Sequence, residues 1–132
     1  MDGTGTRPID SATSGADHFI PGLAVNPSSS GSSAQLALAY YYYPAANCTS
    51  STCQLDVGFV KSSNAGFTWS APTQLAGPMS LGWLASTSQG PMVGDYVSTS
   101  FAGGTAHPVF ALAGPPSGGF FTEAMFTTVS GL

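Results

Sequence analysis

Ser62-Ser63-Asn64-Ala65-Gly66-Phe67-Thr68-Trp69 is the stretch whose reading decides the fold. Asn and Gly tolerate positive φ, so Asn64 and Gly66 mark a tight β-hairpin corner. The hydroxyls of Ser62 and Thr68 are placed to hydrogen-bond the turn's own amides, and Trp69 can lay its ring over the corner. A strand-like run from Cys53 to Lys61 enters it, and a second run, Phe67 to Leu75, leaves it. Pro72 interrupts the second run, which an outer strand tolerates because its outward amides have no ladder partner.

Working back from the corner, Gln54 to Lys61 alternates Leu55, Val57 and Phe59 with the small or polar Asp56 and Gly58. Gln35 to Tyr43 is the clearest strand of the chain. Leu36, Leu38, Tyr40 and Tyr42 fall on one face, and Ala37, Ala39, Tyr41 and Tyr43 on the other, so both faces should be covered. His18 to Asn26 is a shorter apolar run, stopped by Asn26-Pro27 and the serine-rich link that follows. Working forward, Gly77 to Gly90 reads as a connection carrying Met79, Leu81, Trp83 and Leu84. A second strand series then follows: Met92 to Phe101, a Gly103-Gly104 turn, Thr105 to Leu112, a loop from Gly114 to Gly119, and Phe120 to Val129. No segment sustains a 3.6-residue apolar period, so the expected class is all-β and antiparallel. Phe19 to Val25 and Val93 to Thr99 hold the same place in the two series, about 70 residues apart, which is a repeat.

The composition supports a packed fold. Only 6% of the 132 residues are charged, while 42% are hydrophobic and 11% aromatic, against roughly 25% charged in an average soluble domain. Low charge with abundant Gly, Ser, Thr, Ala and Pro fits a secreted all-β protein. The net charge of −4, with two basic residues, Arg7 and Lys61, leaves no basic footprint for nucleic acid or an anionic membrane. No run approaches the roughly 18 apolar residues of a membrane helix. The first residues lack the basic and apolar regions of a signal peptide, so export information is expected on a longer parent chain if this is not a trimmed one. Cys48 and Cys53 bracket a polar loop between strands. A disulfide is the leading reading and two free thiols the alternative; a lone C-x4-C does not supply a zinc site. Asn47-Cys48-Thr49 also satisfies the N-glycosylation sequon.

The corner resembles the Asp-box, Ser-x-Asp-x-Gly-x-Thr-Trp, of sialidase-like (BNR repeat) β-propellers, with Ser62, Gly66, Thr68 and Trp69 in place and Asn64 standing where the motif has Asp. Val93-Gly94-Asp95-Tyr96 through Val109-Phe110 looks like a stretch near the end of such proteins, and Asp17 to Val25 like the innermost strand of an earlier blade. The resemblance implies antiparallel four-stranded blades. At about 40 to 50 residues per blade, the chain makes about two blades, a C-terminal portion of the propeller: residues 1–16 an arm, 17–76 a first blade carrying the Asp-box, 77–91 a connection and 92–130 a second, incomplete blade. Remaining blades, or further copies of the chain, would have to close the ring.

Sialidases of this family grip a carboxylate with three arginines and use a Tyr nucleophile, a Glu and an Asp. This chain has one arginine, in the context Arg7-Pro8-Ile9, and the role is not transferred. The weak catalytic candidates are Asp95, Tyr96 and Glu123, and the tyrosines from Tyr40 to Tyr43 are further phenols. Asp17, His18, Asp95 and Tyr96 are the binding candidates, because they lie at the starts of innermost strands, which face the funnel of a propeller. His18 and His107 lack metal-ligand spacing, and no P-loop, dinucleotide fingerprint or G-x-S-x-G elbow is present, so no metal and no cofactor are expected. Three readings remain open: a non-catalytic portion of a secreted propeller that acts as scaffold or as a glycan- or protein-binding surface; part of a sialidase-like glycoside hydrolase completed by other blades; and a self-assembling lectin-like module.

Overall fold

The computed structural model of the chain describes residues 9, 10 and 15–132; the rest of the expected arm, including Arg7, lies outside the described residues. Nine strands and two 3-10 turns make up the regular structure of the described residues. β1 (His18–Val25), β2 (Leu36–Tyr42), β3 (Gln54–Ser62) and β4 (Thr73–Ser80) form an antiparallel meander. β5 (Ala85–Thr87) and β6 (Gly90–Met92) form a short hairpin, and β7 (Ser98–Ala102), β8 (Thr105–Ser117) and β9 (Phe120–Thr127) form a second, three-stranded meander. The all-β antiparallel expectation therefore holds, and among the described residues no sheet closes on itself.

β2 organises the packing, as its two-faced apolar pattern requires. Ala37, Ala39 and Tyr41 enter the main core with Leu55, Val57, Phe59, Val97, Ala106 and Phe110. Leu38, Tyr40 and Tyr42 pack on the opposite face with Val60, and Trp69 rests against them. Small residues bring the two meanders into backbone contact. A Cβ on Gly22 would sit 2.5 Å from the Val97 carbonyl oxygen, and the Gly22 carbonyl accepts a bond from Thr99 Oγ1 at 2.8 Å. Tyr41 locks the same seam. Its hydroxyl donates to the Ala111 carbonyl at 2.8 Å and accepts from the Ala111 amide at 2.9 Å, two residues beyond the last β7–β8 pairing, Ser98↔Val109. Buried backbone that β7 no longer reaches is thereby satisfied.

The corner closes on itself. Thr68 N donates to Asn64 Oδ1 at 2.9 Å and Asn64 Nδ2 to Thr68 Oγ1 at 2.8 Å. Ser62 Oγ donates to Asn64 Oδ1 and accepts from Gly66 N, both at 2.9 Å. The positive φ expected at Asn64 falls instead on Ala65 (57°), followed by Gly66 (84°). Asn64 commits its side chain to Ser62 and Thr68 and its carbonyl to Phe67 N, and the reversal passes to its neighbour. A Cβ on Gly66 would meet the Trp69 ring at 3.6 Å, so Trp69 does cover the turn.

Several strand boundaries differ from the sequence reading. The outer strand begins at Thr73, not Phe67, because Phe67 to Pro72 stays in the corner, tied by Ser70 N to the Lys61 carbonyl. It then runs to Ser80 through two irregularities in its pairing with β3, and the proline it tolerates on the edge is Pro78. The expected connection from Gly77 to Gly90 thus contains the end of β4, a 3-10 turn at Leu81–Trp83, and β5 with the turn into β6. The strand expected from Met92 starts only at Ser98, since Gly94 at φ 132° breaks the extended run. β8 outruns its expected end and turns at Gly118-Gly119 (φ 60° and 81°). β9 is exposed along its whole length, with Phe120, Phe121, Met125 and Phe126 in solvent.

Candidate functional site

The start of β1 builds one end of the seam. Its pairing with β2 steps from Phe19↔Tyr41 to Gly22↔Ala39, so Ile20 and Pro21 stand opposite Tyr40 alone, a β-bulge. Ile20 adopts φ 51°, a left-handed conformation that costs a β-branched residue about 1–3 kcal/mol. The bulge makes Ile20 part of the wall of a cavity of about 330 Å3, with Phe19, Tyr43, Leu55, Leu84 and Asp95. On the other side of Tyr43 lies a more polar hollow of about 220 Å3, lined by Asp17, Asn47 and the Cys48–Cys53 pair. Phe19 and Tyr43 have ring centroids 5.1 Å apart, and Tyr43 N donates to the Asp17 carbonyl at 3.1 Å. Tyr43 is therefore a partition with one carboxylate residue on each side.

The candidates named from sequence separate here. Asp17 and Asp95 come to the two hollows that share Tyr43. His18 leaves for the other face of the sheet: Nδ1 lies 2.9 Å from the Ala16 carbonyl, Nε2 3.3 Å from Asp10 Oδ2, and the ring stacks on Tyr42 at 5.8 Å. Tyr96, 85% exposed, points to solvent. Glu123 accepts a bond from Ala85 N at 3.4 Å and lines a separate shallow depression with Phe121 and Phe126. No side-chain hydrogen bond joins Asp95, Tyr96 and Glu123 among the described residues. The buried tyrosines are poor nucleophiles. Burial raises Tyr40, Tyr41 and Tyr42 above the ordinary phenol range, and the Asp10 carboxylate, accepting from Tyr40 Oη at 2.7 Å, raises Tyr40 further.

Two acidic residues had no place in the sequence reading of the site. Asp10, 6% exposed, holds Tyr40 and His18 from within a stretch read as a polar arm; a contact across 30 residues leaves no local signature. Asp56, 4% exposed, lies inside β3 opposite Tyr42. Burial raises its pKa against the opposing hydrogen bonds of Tyr42 and Gln74, and Oδ1 has no hydrogen-bond partner among the described residues. The alternation of β3 had set Asp56 on its small or polar side, and that side carries the cluster of Tyr40, Tyr42 and Val60 instead of solvent.

Cys48 and Cys53 are joined as a disulfide, with Cα atoms 4.9 Å apart, as the loop spacing implied; an oxidising environment accords with it. Among the described residues no helix is long and apolar enough to cross a membrane, and no cluster of His, Cys, Asp and Glu could hold a metal ion. No protein-family model, curated protein or solved structure matches the chain. What this end offers chemically is two acceptor carboxylates, a phenol and an aromatic wall around hollows of about 220 and 330 Å3.

Proposed function

We propose that the chain is a non-catalytic portion of a secreted, sialidase-like β-propeller that serves as a scaffold and carbohydrate-binding surface, its ring completed by further blades. The observation that carries this reading is the pairing of a self-bonded Asp-box-type corner, Asn64 on Ser62 and Thr68, with two successive antiparallel meanders packed through Gly22, Val97 and Thr99. The disulfide supports the secreted assignment. The ligand is placed at the Asp17, Tyr43 and Asp95 end. Carboxylates accept hydrogen bonds from sugar hydroxyls, and Phe19 and Tyr43 present apolar surface to a pyranose face. Catalysis is not assigned, because Asp95, Tyr96 and Glu123 are dispersed, and the phenols bonded to carboxylates, Tyr40 on Asp10 and Tyr42 on Asp56, have pKa values raised by burial.

The test is calorimetric titration with neutral trisaccharides, comparing the chain with Asp17→Asn and Asp95→Asn, alongside an assay for release of reducing sugar. The reading expects binding, weakened at least about fivefold by either substitution, and no hydrolysis. Binding indifferent to both substitutions, or turnover, would overturn it.

A further inference from the structure

On the face of β1 and β2 turned away from Asp17 and Asp95, three donor atoms meet. Asp10 Oδ2 accepts from Tyr40 Oη at 2.7 Å and lies 3.3 Å from His18 Nε2. Asp10 and Tyr40 are 6% and 4% exposed, while the His18 side chain keeps 27%. A cavity of about 310 Å3 opens onto all three, its remaining wall apolar with Phe19, Pro21 and Leu38. A small ion therefore has a way in. Both rings are held in place. A Cβ on Gly58 would come within 2.6 Å of the Tyr40 ring and 2.9 Å of its hydroxyl, so the phenol lies flat against bare backbone. His18 stacks on Tyr42 with 14° between the ring planes, and its Nδ1 is 2.9 Å from the Ala16 carbonyl.

A carbonyl oxygen only accepts, so Nδ1 of His18 carries a proton. In the neutral ring Nε2 then turns a lone pair toward a carboxylate oxygen, which is itself an acceptor. A cation between them reconciles the two, either a second proton or a metal ion. An Nδ1–H bond to a backbone carbonyl is also the support that orients metal-bound imidazoles. We infer that Asp10 Oδ2, His18 Nε2 and Tyr40 Oη bind a divalent first-row transition-metal ion, the phenol proton leaving as the metal enters. Donors bound at about 2.0–2.2 Å stand roughly 2.8–3.6 Å apart in octahedral or tetrahedral geometry, close to the 2.7 and 3.3 Å separations here. The imidazole and the two oxygens favour Cu2+ above Zn2+ and set Mg2+ aside. Asp10 and Tyr40 are 30 residues apart, and the third donor is a phenol, so no short ligand spacing in the sequence announces the site. It is independent of the Asp17 and Asp95 end.

Titration of the chain with Cu2+ at neutral pH, followed by visible absorption and electron paramagnetic resonance, tests it. One Cu2+ per chain should bind with a phenolate-to-copper charge-transfer band and the coupling of a single imidazole nitrogen, and excess Mg2+ should not displace it. Tyr40→Phe should remove the band. His18→Gln should remove the nitrogen coupling, and it and Asp10→Asn should each weaken binding at least about tenfold, as the loss of a ligand costs no less than the loss of its outer support. His107→Gln and Asp95→Asn should change nothing. Urea midpoints establish that each variant is folded, and the partly exposed His18 carries the test if Tyr40→Phe does not fold. Absence of stoichiometric Cu2+ binding would mean that a proton alone joins His18 to Asp10 and would overturn the assignment. So would a band that survives in folded Tyr40→Phe, nitrogen coupling or full affinity that survives His18→Gln, or loss of binding in His107→Gln.

Discussion

Replacing Asn64 by Ala tests the physical basis of the corner most sharply. The side chain makes three hydrogen bonds, to Ser62 Oγ (2.9 Å), Thr68 N (2.9 Å) and Thr68 Oγ1 (2.8 Å). At about 0.5–1.5 kcal/mol net for each bond, the gross loss is about 2–4 kcal/mol. Thr68 is exposed, so water recovers part of its bonding, and about 2 kcal/mol is the expected cost. With a urea m-value of about 1–3 kcal/mol/M, the unfolding midpoint should fall by about 1 M. Asn64→Asp separates hydrogen bonding from residue identity. A carboxylate keeps both acceptor roles, and the Thr68 hydroxyl can rotate to donate to it, so the midpoint should move by less than about 0.5 kcal/mol equivalent. The assay is equilibrium urea unfolding followed by tryptophan fluorescence. An Ala variant within about 0.2 M of the parent would refute the view that this network holds β3 to the chain that leaves it.

Tyr41→Phe removes one hydroxyl but strands two buried backbone groups on Ala111, so it should cost about 2–4 kcal/mol and speed amide exchange at Ala111. Gly22→Ala should destabilise by about 2 kcal/mol or more, because its Cβ meets the Val97 backbone at 2.5 Å. Gly104→Ala, with open space around it and φ 84°, should cost only about 1 kcal/mol; similar midpoints for the two variants would contradict the close seam. Asp56 has a folded-state pKa raised by burial above its ordinary value of 3.8. The native state therefore holds a proton that the unfolded state releases, and stability falls as pH rises from about 3.8 through the raised value. Asp56→Asn should accordingly gain about 1–3 kcal/mol at pH 7, and the gain should vanish in unfolding curves taken below about pH 3.8.

The parts of the fold that were legible are those decided locally. The corner was readable because Ser62, Asn64, Thr68 and Trp69 meet within eight residues, and β2 because its alternation places apolar groups on both faces. The limits of β4 and β7 were not, since Pro72 and Gly94 break extended structure in ways that depend on where pairing with β3 and β8 begins. The Asp17 and Asp95 end was half legible. Asp17 and Asp95 reach hollows walled by Tyr43, whereas His18 is drawn to Asp10 on the other face. The extra residue of the β1 bulge is written as Ile20-Pro21, but its effect on the cavity exists only once β2 and the Gly94 segment are in place.

The central claim is that the two meanders are blades that need neighbours, and light scattering across a concentration series tests it most directly. β9 offers Phe120, Phe121, Met125 and Phe126 to solvent along an unpaired edge, a surface that recruits further strands or sheets. The account predicts a mass that rises with concentration above the 13.3 kDa of one chain, with Phe121→Lys and Phe126→Lys together returning it to that value. A single chain that stays at 13.3 kDa up to about 1 mM would contradict the account.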